Sequence, residues 1–401
     1  MKEVKLKDIP ELRVLGRTNG KLDPLTVFWH ASGIEVSVRA SELWLEVSAS
    51  YTVCEPWIVV LIDGEVLQRR PLAAGTERIL LFRGLDPGRV RNVRVLRDTQ
   101  PMQPDPEMVL QFSSFLLPEE GEFLPAAPYK RKIEFIGDSI TTGEGSIGTG
   151  EDNEWSPIYF DVPLSYTKMT AELLDAEYRC FSQGGWGAYV SWDRNFDNAV
   201  PRYFDRLCAF LKDSPEYRAL GAYEPWDFAS WQPDYVVINL GTNDCSGIYG
   251  YLNMAADAKE SGGAVDPRFS LVSAEELRES AESEHRIRAE LSAFAAAGRE
   301  FLKKLRAWYP AAHIIWCYGM LDQPQAETIK HILEEEVVGE YRRESGDGGA
   351  EYLELPATLP GEFGCRMHPG PASHRKAAAL LSGHILKLES GDKEDRGGAC
   401  R

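Results

Sequence analysis

The chain has 401 residues, of which 43% are hydrophobic and 26% charged, and a formal net charge of −18. That length exceeds one ordinary core and makes two domains the expectation. The acidic balance argues against a nucleic-acid partner, since no basic surface is evident to neutralise phosphates.

Residues 1–122 read as an all-β domain. Stretch 34–39 alternates apolar and polar residues, and Leu43, Leu45, Val47 and Ala49 repeat the period, as half-buried strands do. A continuous apolar run at 57–62 ends in Asp63-Gly64, a hairpin signal. Further strands are expected at 66–71, 78–82 and 90–96. Short strands at regular spacing suggest a β-sandwich of jelly-roll type. Residues 118–131 are proline-rich and poorly patterned, as linkers are.

From 130 to 390 the pattern alternates strand and helix. Strands are expected at 133–136, 177–182, 234–240, 313–318 and 351–355. Helices are expected at 165–175, 274–308, 325–343 and 372–388. Apolar strands alternating with helices imply a parallel sheet covered on both faces. Stretch 147–162, with Trp155 and Tyr159, follows the first glycine turn and is expected over the site. Stretch 247–272, rich in Gly, Ala, Ser and Asp, reads as a long loop, and 391–401 as a frayed, charged tail.

The seven cysteines form no CxxC pair and fall mostly in apolar runs, which fits free buried thiols in a reducing compartment. The first residues carry mixed charge without the apolar stretch of a secretory signal, and no run approaches a membrane span. The expected location is the cytoplasm, with no membrane partner. No metal-ligand spacing is found.

Three of the expected strands end in turns that carry chemistry. The first gives Gly137-Asp138-Ser139, the second Gly184-Gly185-Trp186-Gly187, the third Gly241-Thr242-Asn243-Asp244. In a parallel sheet these turns share one edge, where ligands bind in open α/β folds. A serine there is a nucleophile if a histidine reaches its hydroxyl; alone, it reads equally well as a helix cap. The amides of Ser139 and of Gly185 or Gly184, with the Asn243 side chain, would cradle an oxyanion. Of seven histidines, only His368 lies in a loop between the last strand and the last helix, fixed there by Pro369 and Gly370.

In this order the turns resemble the four motif blocks of the SGNH (GDSL) hydrolase superfamily, over residues 130–390. The β domain in front resembles the jelly roll of carbohydrate esterase family 2. The resemblance implies a three-layer α/β/α flavodoxin-like hydrolase domain behind the sandwich. It implies Ser139 as nucleophile, His368 as base, and Ser139, Gly185 and Asn243 as oxyanion donors, without cofactor or metal. The acid that superfamily members commonly carry three residues before the histidine is here Cys365. A backbone carbonyl holding the imidazole, a carboxylate from Glu362, Glu354 or Glu144, or a weakened site all remain open. Asp138 reads as a brace for the turn.

The expected function is hydrolysis of small acyl esters by a Ser–His dyad, with an acetylated sugar or oligosaccharide as substrate. Trp155 and Trp186 flank the turns and would stack on a pyranose, or else pack. The rival readings are a non-catalytic carbohydrate-binding protein and a short-chain lipid or thioester hydrolase.

Overall fold

Glu42–Ser50 is buried at every second residue, so it must pair and stack to cover its apolar side. The structure, a computed structural model, describes residues 1–210, 214–321 and 323–398. Its first part is two antiparallel sheets. One runs Leu25–Thr26, Val109–Leu117, Glu42–Ser50, Gly75–Arg83, with Lys2–Lys5 also on Val109–Leu117. The other runs Gly33–Arg39, Arg91–Arg97, Trp57–Ile62, Glu65–Pro71, with Arg13–Leu15 and Glu122–Leu124 beside Gly33–Arg39. These paths are those of a jelly roll. Asp63 and Gly64 close the Trp57–Pro71 hairpin with φ of 54° and 91°, the pair of left-handed residues a tight hairpin turn requires. Leu45, Val47, Val60, Val95 and Phe112 fill the space between the sheets.

The second part is one parallel sheet in the order Ala176–Ser182, Arg131–Gly137, Tyr235–Asn239, His313–Gly319, Ala350–Leu355. This is flavodoxin-like order. Alternate residues face opposite layers. Val236 and Ile238 pack with Phe294, Phe301 and Leu305 of helix Glu284–Trp308. Val237 and Ile315 pack with Tyr166 of helix Tyr166–Leu173 and with Leu381 of helix Pro371–Gly398. The three-layer expectation holds.

Four local expectations need correction. Stretch 247–272 is not one loop: it holds helix Tyr251–Glu260, whose Leu252, Ala255 and Ala256 pack on Leu277 and Ala281. That is helical spacing hidden by polar neighbours. The 274–308 run is two helices, Ala274–Glu282 and Glu284–Trp308, because Ser283 leaves helical geometry and its hydroxyl caps the second. The 325–343 run is Ala326–His331 and Glu340–Ser345 around a π-helical stretch, Ile332–Gly339. The last helix passes residue 388 and continues to Gly398; residues 399–401 lie outside the described residues. No helix among those described is long and apolar enough to cross a membrane.

The two parts share a core. Phe28 and Trp29 join one layer of the α/β part, and Val59, Leu61 and Leu96 join the other. Arg17, fully buried, pairs with Glu134 at 2.7 Å and donates to the Phe204 carbonyl at 2.7 Å. Tyr309 donates to the same carboxylate. Removing one partner of such a pair strands a buried charge, at about 3–5 kcal/mol.

Candidate active site

Parallel register sets Gly137 beside both Ser182 and Asn239, so the three turns leave the sheet at one edge. The first turn is tight: a Cβ on Gly137 would stand 2.0 Å from Thr141 Oγ1. Asp138 caps the short helix Ser139–Thr142, its Oδ1 accepting from the Ile140 amide at 3.0 Å. Its Oδ2 accepts from Asn243 Nδ2 at 3.1 Å. Burial pushes the Asp138 carboxyl up to about 7, and the nearby charges of Asp244 and Glu144 add to the rise. Asp138 thus braces the turn from within and does not touch the histidine.

His368 Nε2 lies 2.9 Å from Ser139 Oγ. Its Nδ1 donates to the Arg366 carbonyl at 3.0 Å. Of the arrangements left open by the sequence, the backbone carbonyl is the one observed. Glu362 pairs with Lys376 and Glu354 with Lys330. Glu144 faces the other ring nitrogen, 4.0 Å from Nε2, and is bound by Arg366 at 2.6 Å. The carbonyl points at the imidazole because Arg366 and Met367 are both left-handed, with φ of 52° and 57°. Non-glycine residues pay about 1–3 kcal/mol for sparsely populated geometry such as this, which persists only where surrounding contacts impose it. Those contacts are the Arg366 amide on the Asp152 carbonyl at 2.8 Å and the His368 amide on the Cys365 carbonyl at 3.0 Å. Gly145 and Gly364 let the two loops touch: a Cβ on Gly145 would meet His368 Cβ at 2.4 Å.

The expected oxyanion donors divide. The amides of Ser139 and Gly185 have no acceptor among the described residues. The Gly184 amide is taken by Gln100 Oε1 at 2.7 Å, which leaves the Gly185 amide as the free one of the two. Asn243 reaches the site, but its Nδ2 already serves Asp138 and the Trp186 carbonyl, the latter at 3.0 Å. Asp244 is tied to the amides of Ala188, Tyr189 and Val190 at 2.7–2.9 Å, so the third turn holds the second in place.

A cleft of about 340 Å³ opens on Ser139 and His368, with Trp155, Trp192, Gln103 and Arg366 on its walls. Trp155 is where the sequence suggests. Trp186 is not: it is 1% exposed, packed on Phe210 and Tyr203 at 4.4 and 5.3 Å between ring centres. Its ring fills the core, so the stacking role expected of it is withdrawn. Trp192, 44% exposed, takes that wall, because its amide folds back onto the Gly185 carbonyl at 3.0 Å. A tryptophan in a run of Asp, Arg and Asn was the available signal. Gln100 and Gln103 come from the sandwich, and no local pattern marks them. Among the described residues, no three His, Cys, Asp or Glu side chains are grouped to hold a metal ion.

Comparison with known proteins gives the family. Residues 133–381 match the GDSL-like lipase/acylhydrolase family. The chain belongs to that family. The fold is also that of an acetyl xylan esterase from the rumen bacterium Butyrivibrio proteoclasticus, 33% identical, with a TM-score of 0.84 over 97% of this chain and all of the other. A cellulase/esterase of Acetivibrio thermocellus is 26% identical over 89% of this chain, and an acetylxylan esterase/glucomannan deacetylase of Cellvibrio japonicus 29% identical over 59%. The chain spans 37% of the length of the first of these and 62% of the second.

Proposed function

We propose that the protein is a serine esterase that removes small acyl groups, acetyl above all, from O-acetylated carbohydrates. The observation that carries this is the 2.9 Å contact between Ser139 Oγ and His368 Nε2 beside two unpartnered amides. Ser139 Oγ bonds to the ester carbonyl carbon as its proton passes to Nε2. The oxyanion rests on the amides of Ser139 and Gly185. Asn243 joins them by giving up its bond to Asp138. The tetrahedral adduct collapses, and the sugar oxygen leaves with the proton from His368. Water then attacks the acyl-enzyme with His368 again as base, which frees Ser139.

A sugar acetate is favoured by Trp155 and Trp192 standing at the cleft, since aromatic faces suit pyranose rings. The acetylxylan esterases among the relatives support the same substrate class. The polar walls supplied by Gln103, Glu144, Asn243 and Arg366 suit it better than a long acyl chain. A reducing, cytoplasmic setting is supported by the six described cysteines, all buried free thiols. There, short imported oligosaccharides would be the substrates.

The test is hydrolysis of acetyl and octanoyl aryl esters by the wild type and by Ser139→Ala. Acetyl turnover should fall by about a thousandfold or more in the variant. Equal activity in both would leave a carbohydrate-binding protein, and an octanoyl preference would point to lipid or thioester substrates.

A further inference from the structure

Cys365 occupies the place of the customary acid, and the Arg366 carbonyl can orient an imidazole without matching the charge that forms on it. Something else must face the imidazolium. Among the described carboxylates near the site, Asp138 and Asp244 are spent on amides. Glu144 is not. Its side chain is 5% exposed, and Oε1 stands 4.0 Å from His368 Nε2. The same oxygen accepts from Arg366 Nη1 at 2.6 Å. Its backbone is rigid, with the amide on the Ser139 carbonyl at 3.0 Å and a bridge to Phe160.

We propose that Glu144 and Arg366 act as one unit in place of the missing acid: the Glu144 carboxylate balances the imidazolium from the Nε2 side, and its grip on the guanidinium holds the Arg366 carbonyl on Nδ1. This rests on the esterase reading above. The carboxylate is the buried member, so the imidazolium feels it more than it feels the guanidinium, which is one-third exposed and screened by solvent. The pair is neutral as a whole, which limits its repulsion of the oxyanion. The grip also explains how a non-glycine residue keeps a left-handed backbone at this point. Glu144 and Arg366 are positioning residues here: neither exchanges a proton with the substrate.

The experiment is steady-state hydrolysis of 4-nitrophenyl acetate by the full chain. Glu144→Gln keeps shape and removes charge; its kcat should fall about ten- to a hundredfold, with KM within about twofold of wild type. Glu144→Asp, which restores the charge, should recover part of the loss. The double variant Glu144→Gln/Arg366→Met should be no slower than the worse single variant, as for residues acting as a unit. Unchanged kcat in Glu144→Gln, a loss carried by KM, or additive losses in the double variant would each overturn the assignment. If the melting curve shows Glu144→Gln to be unfolded, the one-third-exposed partner carries the same kcat-against-KM test through Arg366→Met. Ser139→Ala separates the two readings. Activity equal to wild type in Ser139→Ala sinks the esterase itself. An inactive Ser139→Ala beside a fully active Glu144→Gln sinks only the role of the pair.

Discussion

The serine and the histidine reach one hydrogen bond by opposite routes. Ser139 is placed by its own neighbourhood: a strand, a glycine that a Cβ would not fit, an aspartate cap one residue before it, and Gly143 with φ of 70° closing the turn. His368 is placed from outside. Its loop carries two left-handed non-glycine residues, Arg366 and Met367, held by Asp152, Glu144 and the close approach of Gly145. The serine's geometry is local, and the histidine's geometry is borrowed from residues some 220 positions away in the chain, as the Glu144–Arg366 pair shows.

The sharpest way to break this comparison is to remove the borrowed partner altogether. His368→Ala should lose about a thousandfold or more in kcat with the fold intact, measured on an aryl acetate. Next comes Gly145→Ala, which substitutes neither Ser139 nor His368. Its Cβ would press on His368 Cβ and on the Cys365 carbonyl at 2.7 Å, at a φ of 72°. Displacing the imidazole by about 1 Å should cost on the order of a hundredfold in kcat, and a loss below threefold would show that the histidine loop adapts. On the serine side, Asp138→Ala removes the cap and should cost about 1 kcal/mol in urea denaturation. The smallest effect is at Met367, which is exposed. Met367→Gly should relieve its left-handed strain and raise stability by a few tenths of a kcal/mol at most, because glycine also loosens the unfolded chain. A clear loss of stability there would mean that the side chain, not the backbone, holds the loop.

The same contrast explains what could be read in advance. The five parallel strands and the serine, glycine and asparagine turns were legible because each depends on a run of adjacent residues. His368 is legible by elimination among loops, but its second hydrogen bond is not, since a carbonyl acceptor leaves no mark in composition. The two tryptophans show the limit more plainly. Trp186 sits in the motif turn and is core, whereas Trp192 lies outside the motif and faces the cleft. Which way a side chain points after a glycine turn is set by packing with Tyr203 and Phe210, and spacing carries no trace of that. The helix at Tyr251–Glu260 was hidden by its polar residues, since only three of its positions join the buried apolar cluster.

Gln100, from the sandwich, occupies the Gly184 amide, and this bears on how such a protein can be cut and recombined. An α/β half prepared alone would meet water with the apolar surface that Trp29, Leu61 and Leu96 now cover. It would also present two neighbouring glycine amides to an incoming carbonyl where the intact chain offers one. The set of free amides is therefore not a property that can be grafted with the Ser139 turn; the sandwich must travel with it as a single cassette.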